Sequence, residues 1–129
     1  MRKDERDWKN RDKASNLLVY FQTFDFVFYL HLMLTMLTIT NSLSQALQRK
    51  DQDIVNAMKC VSSTRSHLDE VRRNGWEKVL GEAYEFCDKH DVVKEEMEDA
   101  YIDPKRRRKK SGITKKHHYQ VDCFNEVFD

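Results

Sequence analysis

The chain has 129 residues, 40% of them apolar and 35% charged, enough for one domain with a modest core and a strongly solvated surface. One Pro and three Gly supply too few turn residues for an all-β fold, and a net charge of +1 excludes a surface that is basic throughout. Cys60, Cys87 and Cys123 are odd in number and widely spaced and, with no secretory leader in view, read as reduced thiols of the nucleus or cytosol.

Residues 1–14 are almost wholly polar, with Trp8 the one large apolar side chain after Met1, and are expected to form a disordered leader. Ser15 or Asn16 is placed to cap a first long helix over residues 17–49. Its first half is apolar on nearly every side, which predicts burial all round and, in so short a chain, self-association. Its second half turns amphipathic through Leu37, Thr40, Leu43 and Leu47. A membrane span over residues 17–39 is disfavoured, because Asp25 sits inside it and would cost about 2.5–3.5 kcal/mol at a bilayer centre.

The polar cluster Gln48-Arg49-Lys50-Asp51 marks a turn, and Asp51 or Asp53 suits the start of a second helix. Ala57, Val61, Thr64, Leu68 and Val71 form its apolar stripe, Arg72 and Arg73 complement its C-terminal dipole, and Asn74-Gly75 ends it. A third helix follows from Trp76 to about His90, with Val79, Leu80, Ala83, Tyr84 and Cys87 on the apolar side. Residues 91–116 hold the Pro, a Gly, an acidic half and a basic half, and read as a mobile charged loop. A short terminal helix over 117–129 shows Val121, Phe124, Val127 and Phe128 on one face and stops in mid-pattern, as if cut from something longer. The expected fold is all-α: three to four helices in an irregular antiparallel bundle over 15–90, with a long basic loop before the last helix. Leu30, Leu37, Leu43, Leu47, Met58, Val61, Leu68, Trp76 and Leu80 are its expected core.

The most specific local signal is the run Lys105, Arg106, Arg107, Arg108, Lys109 and Lys110 directly after Pro104. Six consecutive cations in a loop fit a nuclear import signal or a nucleic-acid contact, in which phosphate neutralisation releases counterions. The competing reading is a solvated basic loop. Other chemistry is weaker. Cys87 and His90, with His117, His118 and Cys123, have workable zinc spacing, but no CxxC pair exists and Cys87 also fits an apolar helix face. Asp51 and Asp53, or Glu95, Glu96, Glu98 and Asp99, are better explained by helix capping and solvation than by a divalent metal. Cys60 and His67 lack a third, orienting group. The aromatic cluster Tyr20, Phe21, Phe24, Phe26, Phe28 and Tyr29 has the spacing of a buried helix, not of a base-stacking platform. No catalytic residue, cofactor or metal site is therefore expected.

Several strings together resemble a known family. Phe26-Val27-Phe28-Tyr29-Leu30-His31-Leu32-Met33 leads into Ile39-Thr40-Asn41-Ser42-Leu43-Ser44, and the stretch from Leu43 to Met58 is the most specific. Asn74-Gly75-Trp76, Phe86-Cys87-Asp88-Lys89-His90-Asp91 and His117-His118-Tyr119 follow. Over residues 17–129 the chain resembles plant hAT-type transposase-like proteins of the zinc finger MYM-type-like group; residues 1–13 do not. The resemblance implies an RNase H-like transposase interrupted by a helical insertion, of which this chain would be a piece. The family's catalytic aspartates and glutamate, its dimerisation region and its zinc-finger motif have no counterpart in these residues. Expectations that follow are a catalytically inactive helical fragment, a nuclear location (cytosolic if the basic run is not an import signal), and DNA as a partner. Further partners would be the remainder of a transposase-like protein or a second copy joined through the apolar first helix, and not a membrane. The alternatives are a longer transposase whose catalytic domain lies elsewhere, and a helical protein–protein module unrelated to DNA.

Overall fold

A computed structural model describes residues 2–108 and 112–129, with side chains from residue 5 onward. Its elements are α1 (Arg2–Phe21), α2 (Phe24–Leu47), α3 (Ile54–Asn74), α4 (Trp76–Lys89) and a C-terminal helix, α5, over residues 115–128. The last opens as α-helix over Lys115–His117, widens to π geometry over His118–Asn125 and closes as α-helix over Glu126–Phe128. Among the described residues there is no strand, only a single antiparallel bridge between Ala100 and Thr114. The protein is all-α.

The N-terminal region departs from its expected course. The polar leader is helical from Arg2, so Ser15 and Asn16 lie inside α1 and cap nothing. The long first helix is instead broken at Gln22 and Thr23. There the Thr23 hydroxyl donates to the Tyr20 carbonyl at 2.6 Å and accepts the Phe26 N–H at 3.3 Å. A Thr side chain that satisfies backbone groups on both sides of itself competes with the helical ladder and restarts it as an N-cap.

The later boundaries have local causes. Asp53 accepts the Asn56 N–H at 2.7 Å and caps α3. Asp91 takes a left-handed conformation (φ 55°) after α4, and the Val92 N–H reaches back to the Cys87 carbonyl at 2.9 Å, the Schellman closure. Thr114 caps α5 through the His117 N–H.

The core lies where α2, α4 and α5 converge. Phe24, Val27, Phe28 and Leu32 from α2 meet Trp76, Val79, Ala83 and Cys87 from α4 and Tyr119, Cys123, Phe124 and Phe128 from α5, with Met97 from the connecting loop. Phe28 is its hub: its ring lies 4.9 Å from Tyr119 and 5.7 Å from Trp76, centroid to centroid. Among the described residues the Trp76 indole N–H is buried with no hydrogen-bond partner.

The expected core is therefore corrected. Of the residues proposed, only Trp76 is buried; Leu43, Leu68 and Leu80 are half-buried, and Leu30, Leu37, Leu47, Met58 and Val61 are exposed. In α5, Phe124 and Phe128 are buried but Val121 is exposed. The apolar segment 17–21 is exposed as well, contrary to burial on all sides. By length and composition α2 could cross a bilayer, yet Phe24, Val27, Phe28, Leu32 and Ile39 are buried within the protein.

Candidate nucleic-acid interface

Residues 91–108 and 112–114 follow an irregular path, but this is not a free linker. Its two ends are laced together by backbone hydrogen bonds: Tyr101 N–H to the Ile113 carbonyl at 2.9 Å, Lys115 N–H to Asp99 at 2.8 Å and Lys116 N–H to Met97 at 2.8 Å. Gly112, at φ +71°, reverses the chain just before the returning arm. The loop base is anchored by Met97 in the core, by the Tyr84 hydroxyl donating to the Glu95 carbonyl at 2.9 Å, and by an ion pair between Lys115 and Glu95. That carboxylate keeps Lys115 firmly protonated, raising its pKa.

The tip of this stem carries the basic run. Asp103 accepts the Lys105 N–H at 2.8 Å through its side chain and the Arg106 N–H at 3.0 Å through its carbonyl, a local turn that starts the run. Lys105, Arg106, Arg107 and Arg108 are exposed, and among the described residues none of their side chains is ion-paired. Lys109 and Lys110 lie outside the described residues. The exposed acids Glu96, Glu98 and Asp99 sit at the loop base together with the exposed Lys116, so charge is mixed there and more uniformly positive over residues 105–108.

The weaker candidates can be placed too. Among the described residues no three His, Cys, Asp or Glu side chains gather as metal ligands. Cys87 is in the core, its thiol pushed up by burial, while His90 lies against Phe86 outside it. Asp51 pairs with Arg49 at 2.9 Å and Asp53 caps α3, each a structural use. Cys60 and His67 line one shallow groove between α2 and α3. The aromatics divide: Phe24 and Phe28 are core, while Tyr20 and Phe21 are exposed.

Two arrangements escaped the sequence reading. His118 Nε2 lies 3.8 Å from Cys123 Sγ, and its Nδ1 lies 3.8 Å from Asp122, a chain reminiscent of a thiol nucleophile with its base. Cys123 is buried, however, its thiol is pushed up by burial despite the Tyr29 hydroxyl at 3.0 Å, and the contacts to His118 are long. This is core packing. The second is a cleft beside the loop base that joins Asp25 to Tyr119 across ninety-four positions of sequence, with the Tyr119 hydroxyl donating to Asp25 at 3.1 Å. Burial first, then the Asp25 charge, drives the Tyr119 phenol far above its usual range, so it remains a neutral donor. A contact that distant has no local sequence signal.

Comparison of the chain with family models, with curated proteins and with solved structures gives no match.

Proposed function

We propose that this chain is a non-catalytic helical module that contacts nucleic acid through the tip of its basic loop. The observation that carries the reading is the hydrogen-bonded stem that holds Lys105, Arg106, Arg107 and Arg108 in solvent, with no carboxylate paired to them among the described residues. Unpaired cations can exchange counterions for phosphates without first breaking internal ion pairs. Arg guanidinium groups add bidentate donors suited to phosphate oxygens. The same exposed run suits a nuclear import signal. The resemblance to hAT transposase-like proteins supports a DNA-associated, nuclear setting, with this chain as a piece of the helical insertion. Within that resemblance the alternative is a longer transposase whose catalytic domain lies in other residues; strands bearing aspartates in an extended reading frame would favour it.

The test is binding to duplex DNA over a salt series. Binding should weaken with a logarithmic slope approaching about −5 if all six cations of the run meet phosphates. Replacing Arg106, Arg107, Arg108 and Lys109 by Ala should abolish binding at low salt. Retention of binding by that variant, or no binding by the wild type, would remove the reading. A second reading, a protein–protein module unrelated to DNA, is favoured by the exposed apolar side chains of α1 and α2, notably Leu17, Leu18, Phe21, Met33, Leu34 and Leu37. Unchanged nuclear accumulation of the alanine variant would support it.

A further inference from the structure

The cleft beside the loop base differs in chemistry from the rest of the surface. It is a cleft open to solvent, of about 870 Å³, between the α1–α2 break, the loop stem and the start of α5, and four tyrosines line it: Tyr20, Tyr29, Tyr101 and Tyr119. The rings of Tyr101 and Tyr119 are held in place by packing. Tyr101 stacks on His118 with centroids 3.8 Å apart and planes 11° from parallel, and Tyr119 packs edge-on against Phe24 at 5.3 Å. The walls are therefore pre-ordered, which lowers the cost of binding.

The charge in the cleft is lopsided. Three carboxylates, Asp25, Glu95 and Asp99, face a single ammonium, Lys115. Lys115 is committed at one end, bonded to Glu95 and 3.7 Å from Asp99. At the other end Asp25 is half-buried in the first turn of α2. It accepts the Tyr119 hydroxyl, and among the described residues no cationic side chain pairs with it.

Tyrosine faces attract cations through the ring quadrupole, and a carboxylate within an aromatic enclosure adds a fixed counter-charge. Anions are repelled by the same groups. A divalent metal is a poor fit, because the carboxylates are not gathered as ligands. A bulky, weakly hydrated organic cation suits both features. We propose that this cleft binds an alkylammonium group, carried either by a free quaternary amine or by the side chain of a methylated lysine. The cleft meets the basic run at Pro104 and has the opposite charge preference.

Choline and its uncharged isostere 3,3-dimethylbutan-1-ol separate charge recognition from simple apolar filling, read from the tyrosine ring resonances of the full chain during titration. Choline should shift them saturably, and the isostere should bind at least about tenfold more weakly. Asp25→Asn retains an acceptor for Tyr119 while removing the charge. It should weaken choline binding about tenfold or more with unchanged circular dichroism and DNA binding, whereas Glu98→Gln, outside the cleft, should leave choline affinity as it is. An acetylated trimethyl-lysine amide provides the third arm: tighter binding than choline assigns the cleft to a peptide side chain, and weaker binding to a free amine. Equal binding of choline and isostere, full affinity in Asp25→Asn, or no saturable shift with either cation would overturn the proposal.

Discussion

The two ends of α2 carry similar apolar side chains and meet different fates. Towards its N-terminus α2 packs against both α4 and α5, and Phe24, Val27, Phe28 and Leu32 are almost completely buried. Towards its C-terminus it has α3 alongside, and only Ile39 is buried there, while α3 contributes no buried residue at all. Two helices side by side shield the line between them and little else; a third layer is required before a side chain is enclosed. Hydrophobic composition alone does not place a core. Convergence of elements does.

The largest test of that contrast is Phe28→Ala against Met58→Ala, measured by urea unfolding. Phe28 has 0% exposure and its loss should cost about 3–5 kcal/mol, while Met58, 69% exposed, should change stability by less than about 0.5 kcal/mol. Equal costs would mean that the α2–α3 end is buried in solution by a partner or a second copy.

The two glycines of the α3–α4 region should differ in sign. A Cβ on Gly75 would sit 2.6 Å from the Val71 carbonyl oxygen, so Gly75→Ala should destabilise by about 1–3 kcal/mol. Gly81 lies within α4 with open space around it, and Gly81→Ala should stabilise by about 0.5–1 kcal/mol. Both would be read from thermal or denaturant midpoints.

Alkaline titration probes the converged end alone. The phenols of Tyr29 and Tyr119 are raised above the ordinary 10.0, chiefly by burial. Their neutral forms are thus favoured by folding, and that contribution is complete below about pH 10 and lost as pH climbs above it. Tyr119→Phe should flatten the decline in denaturation curves taken upward from about pH 9, and an unaltered decline would place its origin elsewhere.

The smallest effect is one of rate. Cys60 is half-exposed in the α2–α3 groove, while Cys87 and Cys123 are buried with thiols pushed up by burial. A thiol reagent should label one cysteine quickly and the other two only on unfolding. Rapid labelling of all three would show that the core end opens readily.

The all-α class was legible in the scarcity of Pro and Gly and in the helical spacing, and the stop at Gly75 lay in the local residues. The core was only partly so. Trp76, Ala83 and Phe124 stood on readable apolar faces, but Leu37 and Met58 have equally regular spacing and remain in solvent, because periodicity marks a face without saying what covers it. The break at Thr23 was masked by uninterrupted hydrophobicity, since one hydroxyl bonded both ways outweighs no apolar signal in a composition window. For the basic loop the charge was plain in the residues, whereas the stem that presents it depends on main-chain bonds between positions 97–101 and 113–116, which leave no side-chain signature. The tyrosine cleft draws residues from both ends of the chain and was not legible at all.

The stem is closed by backbone groups, so it does not specify what lies at its tip. Residues 102–111 can drift in identity, or gain and lose cations, while Met97 remains seated in the core and the three backbone bonds persist. In evolutionary terms the affinity of the tip for a polyanion is adjustable separately from the stability of the helices beneath it, and selection can tune the one with little penalty in the other.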